Sequence, residues 1–231
     1  MFKRDALVVC VRAEKGQAGF GPAAASEETA KLIAEEIAPL LVGKKICKPS
    51  GFVSLAVEKL GSRALAAAGS VEVALYDLWG KLEGCSVTEF FGGRQQKTIC
   101  CYGSAGMYQS AESYAEEAAA VCELGFSAYK YRPALGPVED LRTVELMRHA
   151  VGSDVGLCLD AHGWWRMGDK SYDAFTIETL AREIAPFGIT WLEEPLPLDN
   201  RSSYTELRSN EIVPIAAGEH EHDLDGFEQL V

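Results

Sequence analysis

No stretch of this chain approaches the roughly 20 consecutive apolar residues that a membrane-spanning helix requires. The start, Met1-Phe-Lys-Arg4, is basic but is followed by only a short apolar run, so a secretory leader is not expected. Basic residues are scarce: 22 Lys and Arg stand against 34 Asp and Glu, a net charge of −12. A phosphate-binding face needs clustered Lys and Arg, so nucleic acid is not an expected partner, and neither is an anionic membrane surface. Cysteine shows no pattern. The seven residues are odd in number, form no CxxC and keep no regular spacing. A zinc site is therefore not expected, and the cysteines read as reduced packing residues of a cytoplasmic protein.

What is present describes a globular chain with a sizeable core: 48% hydrophobic and 24% charged residues in a length of 231, enough for one large domain or two small ones. Residues 1–94 read as a small α+β unit. A strand over 6–12 is followed by a partner near 19–22. Helices follow over 27–41, with Ser26 as N-cap, over 53–60 and over 66–82. Residues 95–231 change to strict strand–helix alternation. Strands are expected at 98–102, 126–132, 154–160, 189–193 and 213–219, with helices between them and a last helix from Asp223. That alternation predicts a parallel sheet with right-handed crossovers. Five such units occupy about 135 residues, against roughly 250 for a closed eight-unit barrel. The expected fold is α/β: a partial TIM-type (β/α) barrel behind a partial α+β domain, in a fragment of a longer protein. A complete open sheet of five strands is the alternative.

Three successive strand-like runs end in a carboxylate: Val155–Asp160, Ile189–Glu193 and Val213–Glu219. In a parallel sheet those ends share one face, so Asp160, Glu193 and Glu219 can converge. Three clustered carboxylates repel unless a cation neutralises them, and all-oxygen ligands favour Mg2+ first. Strand parity tests the convergence. Lys130 shares a face with Arg132, Asp160 with His162 and Cys158, Glu193 with Trp191, and Glu219 with Ala217. Three acids, two cations and an imidazole suit a substrate carboxylate on a metal with a base beside its α-carbon. Blander readings stand beside this one. Lys130 and Arg132 would serve equally as ion-pair partners with no catalytic role, and His162 as a satisfied loop histidine. His149, His220 and His222 read as surface or rim residues, and Glu194 as a solvated or salt-bridged loop residue or a support for the ligands.

Asp160, Trp191-Leu-Glu-Glu-Pro195 and Ala217-Gly-Glu219 together resemble the metal-ligand pattern of the enolase superfamily, mandelate racemase/muconate lactonizing enzyme family, mandelate racemase subgroup. Ala74–Lys81 and Phe91-Gly-Gly93 resemble the end of that family's N-terminal capping domain, and Lys97 onward its barrel. The resemblance implies that Asp160, Glu193 and Glu219 bind Mg2+. The metal would hold a small-molecule carboxylate while a base removes the adjacent proton to give an enediolate. Lys130 falls where the family's Lys-x-Lys motif begins, and Arg132 stands where its second lysine is expected. Arginine is a poor base, so Arg132 is expected to clamp a carboxylate or to lower the Lys130 pKa. His162 matches a histidine that some acid-sugar dehydratases of the family carry. It implies a general acid for a leaving hydroxide and tilts the reading toward dehydration of a sugar or hydroxy acid. Racemisation or epimerisation of a 2-hydroxy acid is the alternative enzyme reading, and an inactive metal-binding fragment the rival. The resemblance also implies a homo-oligomer at full length. The family's His-Asp dyad would lie beyond Val231, so this chain alone is expected to be inactive.

Overall fold

The computed structural model describes residues 5–45, 48–107, 109–197 and 199–230; the basic start and Cys47 lie outside them. The chain forms two compact units, residues 1–97 and 98–231. In the first, β1 (Leu7–Arg12) and β2 (Ala18–Ala23) make an antiparallel hairpin. Helix α1 starts at Glu27–Lys31, with the Ser26 hydroxyl accepting from the Thr29 amide at 3.0 Å. It winds on through a wider π turn at Leu32–Ile37 and a tight turn at Ala38–Leu40. Helices α2 (Phe52–Leu60) and α3 (Leu65–Glu83) follow. The hairpin sits almost backbone-to-backbone on α3. A Cβ at Gly19 would fall 2.1 Å from the Ala74 carbonyl oxygen, and one at Gly21 2.3 Å from that of Ser70. Val9, Ile37, Phe52, Val71 and Leu75 anchor the core of this unit.

The second unit alternates β3 (Gly103–Ser104), α4 (Ala111–Glu123), β4 (Ala128–Tyr131), α5 (Pro137–Val151), β5 (Gly156–Asp160), α6 (Ala174–Ile184), β6 (Ile189–Glu193), α7 (Arg201–Ser209), β7 (Ile215–Ala216) and α8 (Leu224–Glu228). The five strands are parallel and lie in sequence order, which is the partial (β/α) barrel. One face of the sheet is packed under the helices. Tyr129, Tyr131, Leu157, Leu159 and Leu192 meet Ala118, Val144, Met147, Ile177, Leu180 and Ile184 in a single buried cluster. Parity then places Lys130, Cys158, Asp160, Trp191 and Glu193 on the opposite face.

Several local expectations are corrected. Residues 98–102 are not a strand, and Ile99 is exposed; the strand is Gly103–Ser104. It forms where the chain can press against α4, since a Cβ at Gly103 would lie 2.3 Å from Cγ1 of Val121. The last strand is two residues long rather than seven. Pro214 offers no amide to the ladder, and Gly218, at φ +121°, turns the chain away. The reading of the cysteines as packing residues fits few of those described. Cys10, Cys100 and Cys101 are exposed, and among the described residues only Cys158 is buried. No helix among the described residues is long and apolar enough to cross a membrane.

Candidate metal centre

Asp160 closes β5 and Glu193 closes β6, and the two are register partners on adjacent parallel strands. Lys130 of β4 pairs with Cys158 one step earlier, so its long side chain reaches forward to both acids. Its ammonium lies 2.5 Å from Glu193 Oε1 and 3.4 Å from Asp160 Oδ2. The Trp191 indole N–H donates to the other Glu193 oxygen at 3.1 Å. Asp160, fully buried, also receives Arg132 Nε at 2.9 Å on Oδ2 and His162 Nδ1 at 2.5 Å on Oδ1. Its neighbours decide its charge. Burial works against ionisation, but the hydrogen bonds from His162 and Arg132 and the charges of Lys130 and Arg132 outweigh it. The carboxyl is held below its ordinary pKa.

Lys130 shows the same balance with the opposite sign of charge. Burial disfavours its ammonium, but the Glu193 hydrogen bond and the two anions prevail and raise its pKa. The net direction is thus upward despite the nearby Arg132. Asp160 stands in contact with both cations and neutralises their mutual repulsion.

Glu219 reaches the cluster differently. It lies in the turn three residues past β7, with its side chain 48% exposed. Its Oε1 is 3.1 Å from His162 Nε2 and 3.2 Å from His220 Nε2. The three predicted acids are therefore linked in a chain, Glu193–Lys130–Asp160–His162–Glu219, rather than gathered around a point. Among the described residues, the group whose ligand atoms all lie within 4.8 Å of one another is His162, Glu219 and His220. Asp160 and Glu193 are bridged by one cation, and Asp160 and Glu219 by one imidazole. The fit to a hard divalent ion rests on the donor chemistry: Asp160 and Glu193 present carboxylate oxygens that already share one cation, the Lys130 ammonium.

Glu194 is neither solvated nor a ligand candidate. It is buried at φ +46°, accepting from the Gly218 amide at 2.8 Å and the Tyr204 hydroxyl at 3.1 Å. It thus pins the turn that presents Glu219. A second support, unread in the sequence, is Asp140 in the first turn of α5. Its carboxylate accepts from the Ala134 and Leu135 amides at 3.1 and 2.9 Å, the Trp164 indole at 2.9 Å and the Tyr172 hydroxyl at 2.8 Å. It ties the loops after β4 and β5 together. Between those loops opens a cavity of about 420 Å³, whose lining includes Arg132, His162, Arg166 and Glu219.

Against known families, residues 113–231 match the enolase C-terminal domain-like model, and residues 1–92 match the mandelate racemase / muconate lactonizing enzyme N-terminal domain. The chain belongs to the mandelate racemase/muconate lactonizing enzyme family of the enolase superfamily. Among proteins of this family, D-galactarolactone cycloisomerase of Agrobacterium fabrum is 27% identical over 99% of this chain and 61% of its own length. L-rhamnonate dehydratase of Saccharopolyspora erythraea is 31% identical over 97% of this chain and 57% of its own. The chain thus spans about three-fifths of these curated relatives. The crystal structure of the 3,6-anhydro-D-galactonate cycloisomerase from Zobellia galactanivorans superposes with a TM-score of 0.83 at 28% identity, covering 98% of this chain and 64% of that one.

Proposed function

We propose that the protein assists removal of the proton beside a substrate carboxylate with Mg2+, and that the reaction proceeds to loss of water from a sugar or hydroxy acid. The observation that carries this reading is the contact chain from Lys130 through Asp160 to His162, opening on a cavity lined by two guanidiniums. The similarity to a sugar-acid dehydratase and to cycloisomerases supports the substrate class. Asp160, Glu193 and Glu219 would hold the ion, which supplies Lewis-acid stabilisation of charge on the substrate carboxylate.

The chain's own groups divide the remaining work. Arg132 and Arg166 attract and orient an anionic substrate in the cavity. Arg132 takes no proton, because a guanidinium stays charged. His162 keeps its Nδ1 on Asp160, which directs Nε2 outward; in the imidazolium form, protonated on both nitrogens, Nε2 hands its proton to a leaving hydroxyl. Lys130 is suited to the α-proton only in its neutral form, which its ion pairs with Asp160 and Glu193 oppose. That opposition favours one rival reading, a chain that binds the ion and turns nothing over. Incubation with Mg2+ and a panel of sugar acids in D2O, followed by NMR, tests the proposal. The expected result is a 2-keto acid, lost in His162→Asn. Deuterium at the α-carbon without a keto acid would mean racemisation or epimerisation, and neither product would leave the inactive reading standing.

A further inference from the structure

Beside the carboxylate–lysine cluster, two imidazole nitrogens and one carboxylate oxygen converge. His162 Nε2, His220 Nε2 and Glu219 Oε1 are separated by 3.1, 3.2 and 3.3 Å. Ligands bound to one transition ion at about 2.0–2.2 Å stand about 2.9–3.5 Å apart, so this triangle has the edge lengths of one face of such a coordination shell. The orientation of His162 is fixed from behind. Its Nδ1 lies 2.5 Å from Asp160 Oδ1, which places the proton there and leaves the Nε2 lone pair facing the other two atoms. A carboxylate behind a ligating imidazole is the usual support of a metal-bound histidine. His162 is buried, so its ring has little freedom to turn away. Two cations line the cavity beside the triangle, Arg132 and Arg166, and Nη2 of Arg166 is 3.4 Å from His220 Nε2. Arg166 is exposed and stacked on Trp165.

We propose that His162, Glu219 and His220 form a site for a borderline divalent ion of the zinc, cobalt and nickel class. Two imidazole nitrogens and one carboxylate suit such ions and suit Mg2+ poorly, since Mg2+ takes oxygen ligands. The site takes a different class of ion from the Mg2+ reading but shares two residues with it, Glu219 and His162. Zinc at the imidazoles withdraws that acid, and His162 with it, from the neighbouring chemistry, so the site is inhibitory wherever the Mg2+ reading holds.

Co2+ reports such a site through its visible ligand-field absorption. Tag-free protein titrated with Co2+ alone is expected to bind one ion, to lose the absorption to Zn2+ and to keep it in a large excess of Mg2+. His220→Ala is expected to weaken Co2+ binding at least about tenfold. His220 lies in a turn and is only partly buried, so the fold does not depend on it; His220→Gln, checked by circular dichroism, provides a second variant with the same expectation. Glu193→Gln is expected to leave Co2+ binding intact. No Co2+ absorption, absorption unchanged in both His220 variants, or absorption lost in Glu193→Gln but kept in His220→Ala would overturn the proposal. A failure of the Mg2+ reading appears separately, as Mg2+ binding insensitive to Asp160→Asn.

Discussion

On the β5–β6 side of the candidate centre, Asp160 and Glu193 stand on adjacent strands in fixed register, walled in by Lys130, Arg132, His162 and Trp191. On the β7 side, Glu219 sits on a turn, half exposed, held by two imidazoles and by the Glu194–Gly218 bond beneath it. The first side is built by the sheet, the second by a loop. The difference separates two roles that one acidic residue type fills: Asp160 is part of what holds the barrel arc together, whereas Glu219 is free to serve a ligand.

Charge removal at the two sides should therefore cost very different amounts. Asp160→Ala leaves Lys130, Arg132 and His162 around a vacated buried position. Urea denaturation should show a loss of about 3–5 kcal/mol, the range for breaking a buried ion pair on one side only. Asp140→Ala, which strips the acceptor from four donors behind the same side, should cost about 2–3 kcal/mol; a smaller loss would mean that the loops after β4 and β5 hold themselves. Glu194→Gln keeps the shape but weakens the clamp on Gly218, so about 1 kcal/mol of stability should go, together with part of the Mg2+ affinity as the Glu219 turn loosens. Glu219→Gln should leave stability within about 0.5 kcal/mol while Mg2+ affinity in calorimetry falls at least about tenfold. Equal stability losses at Asp160 and Glu219 would erase the contrast.

The same contrast explains what could be read from the residues alone. Lys130, Asp160 and Glu193 were legible because strand parity and parallel register are local, repetitive rules. Glu219 was legible as a nearby acid but not as a turn residue. The apolar run Val213–Ala217 resembles a strand, while the ladder starts only after Pro214, which has no amide to give, and stops at Ala216 before the Gly218 turn. His220 read as a rim residue, and its meeting with His162 depends on that turn. The exposed Ile99-Cys-Cys run carried strand-like composition without a neighbour to pair with. Asp140 gave the weakest signal. An acid in the first turn of a helix usually complements the helix dipole, and its four partners come from loops that the chain brings together only on folding.

The account rests most heavily on Asp160 and Glu193 accepting a divalent ion in the place where they now share the Lys130 ammonium. Isothermal titration of the protein with Mg2+, repeated on Asp160→Asn, tests this most directly. One Mg2+ per chain, with binding abolished in Asp160→Asn, is the predicted result. No heat from the wild-type protein, or the same heat from both proteins, would contradict it.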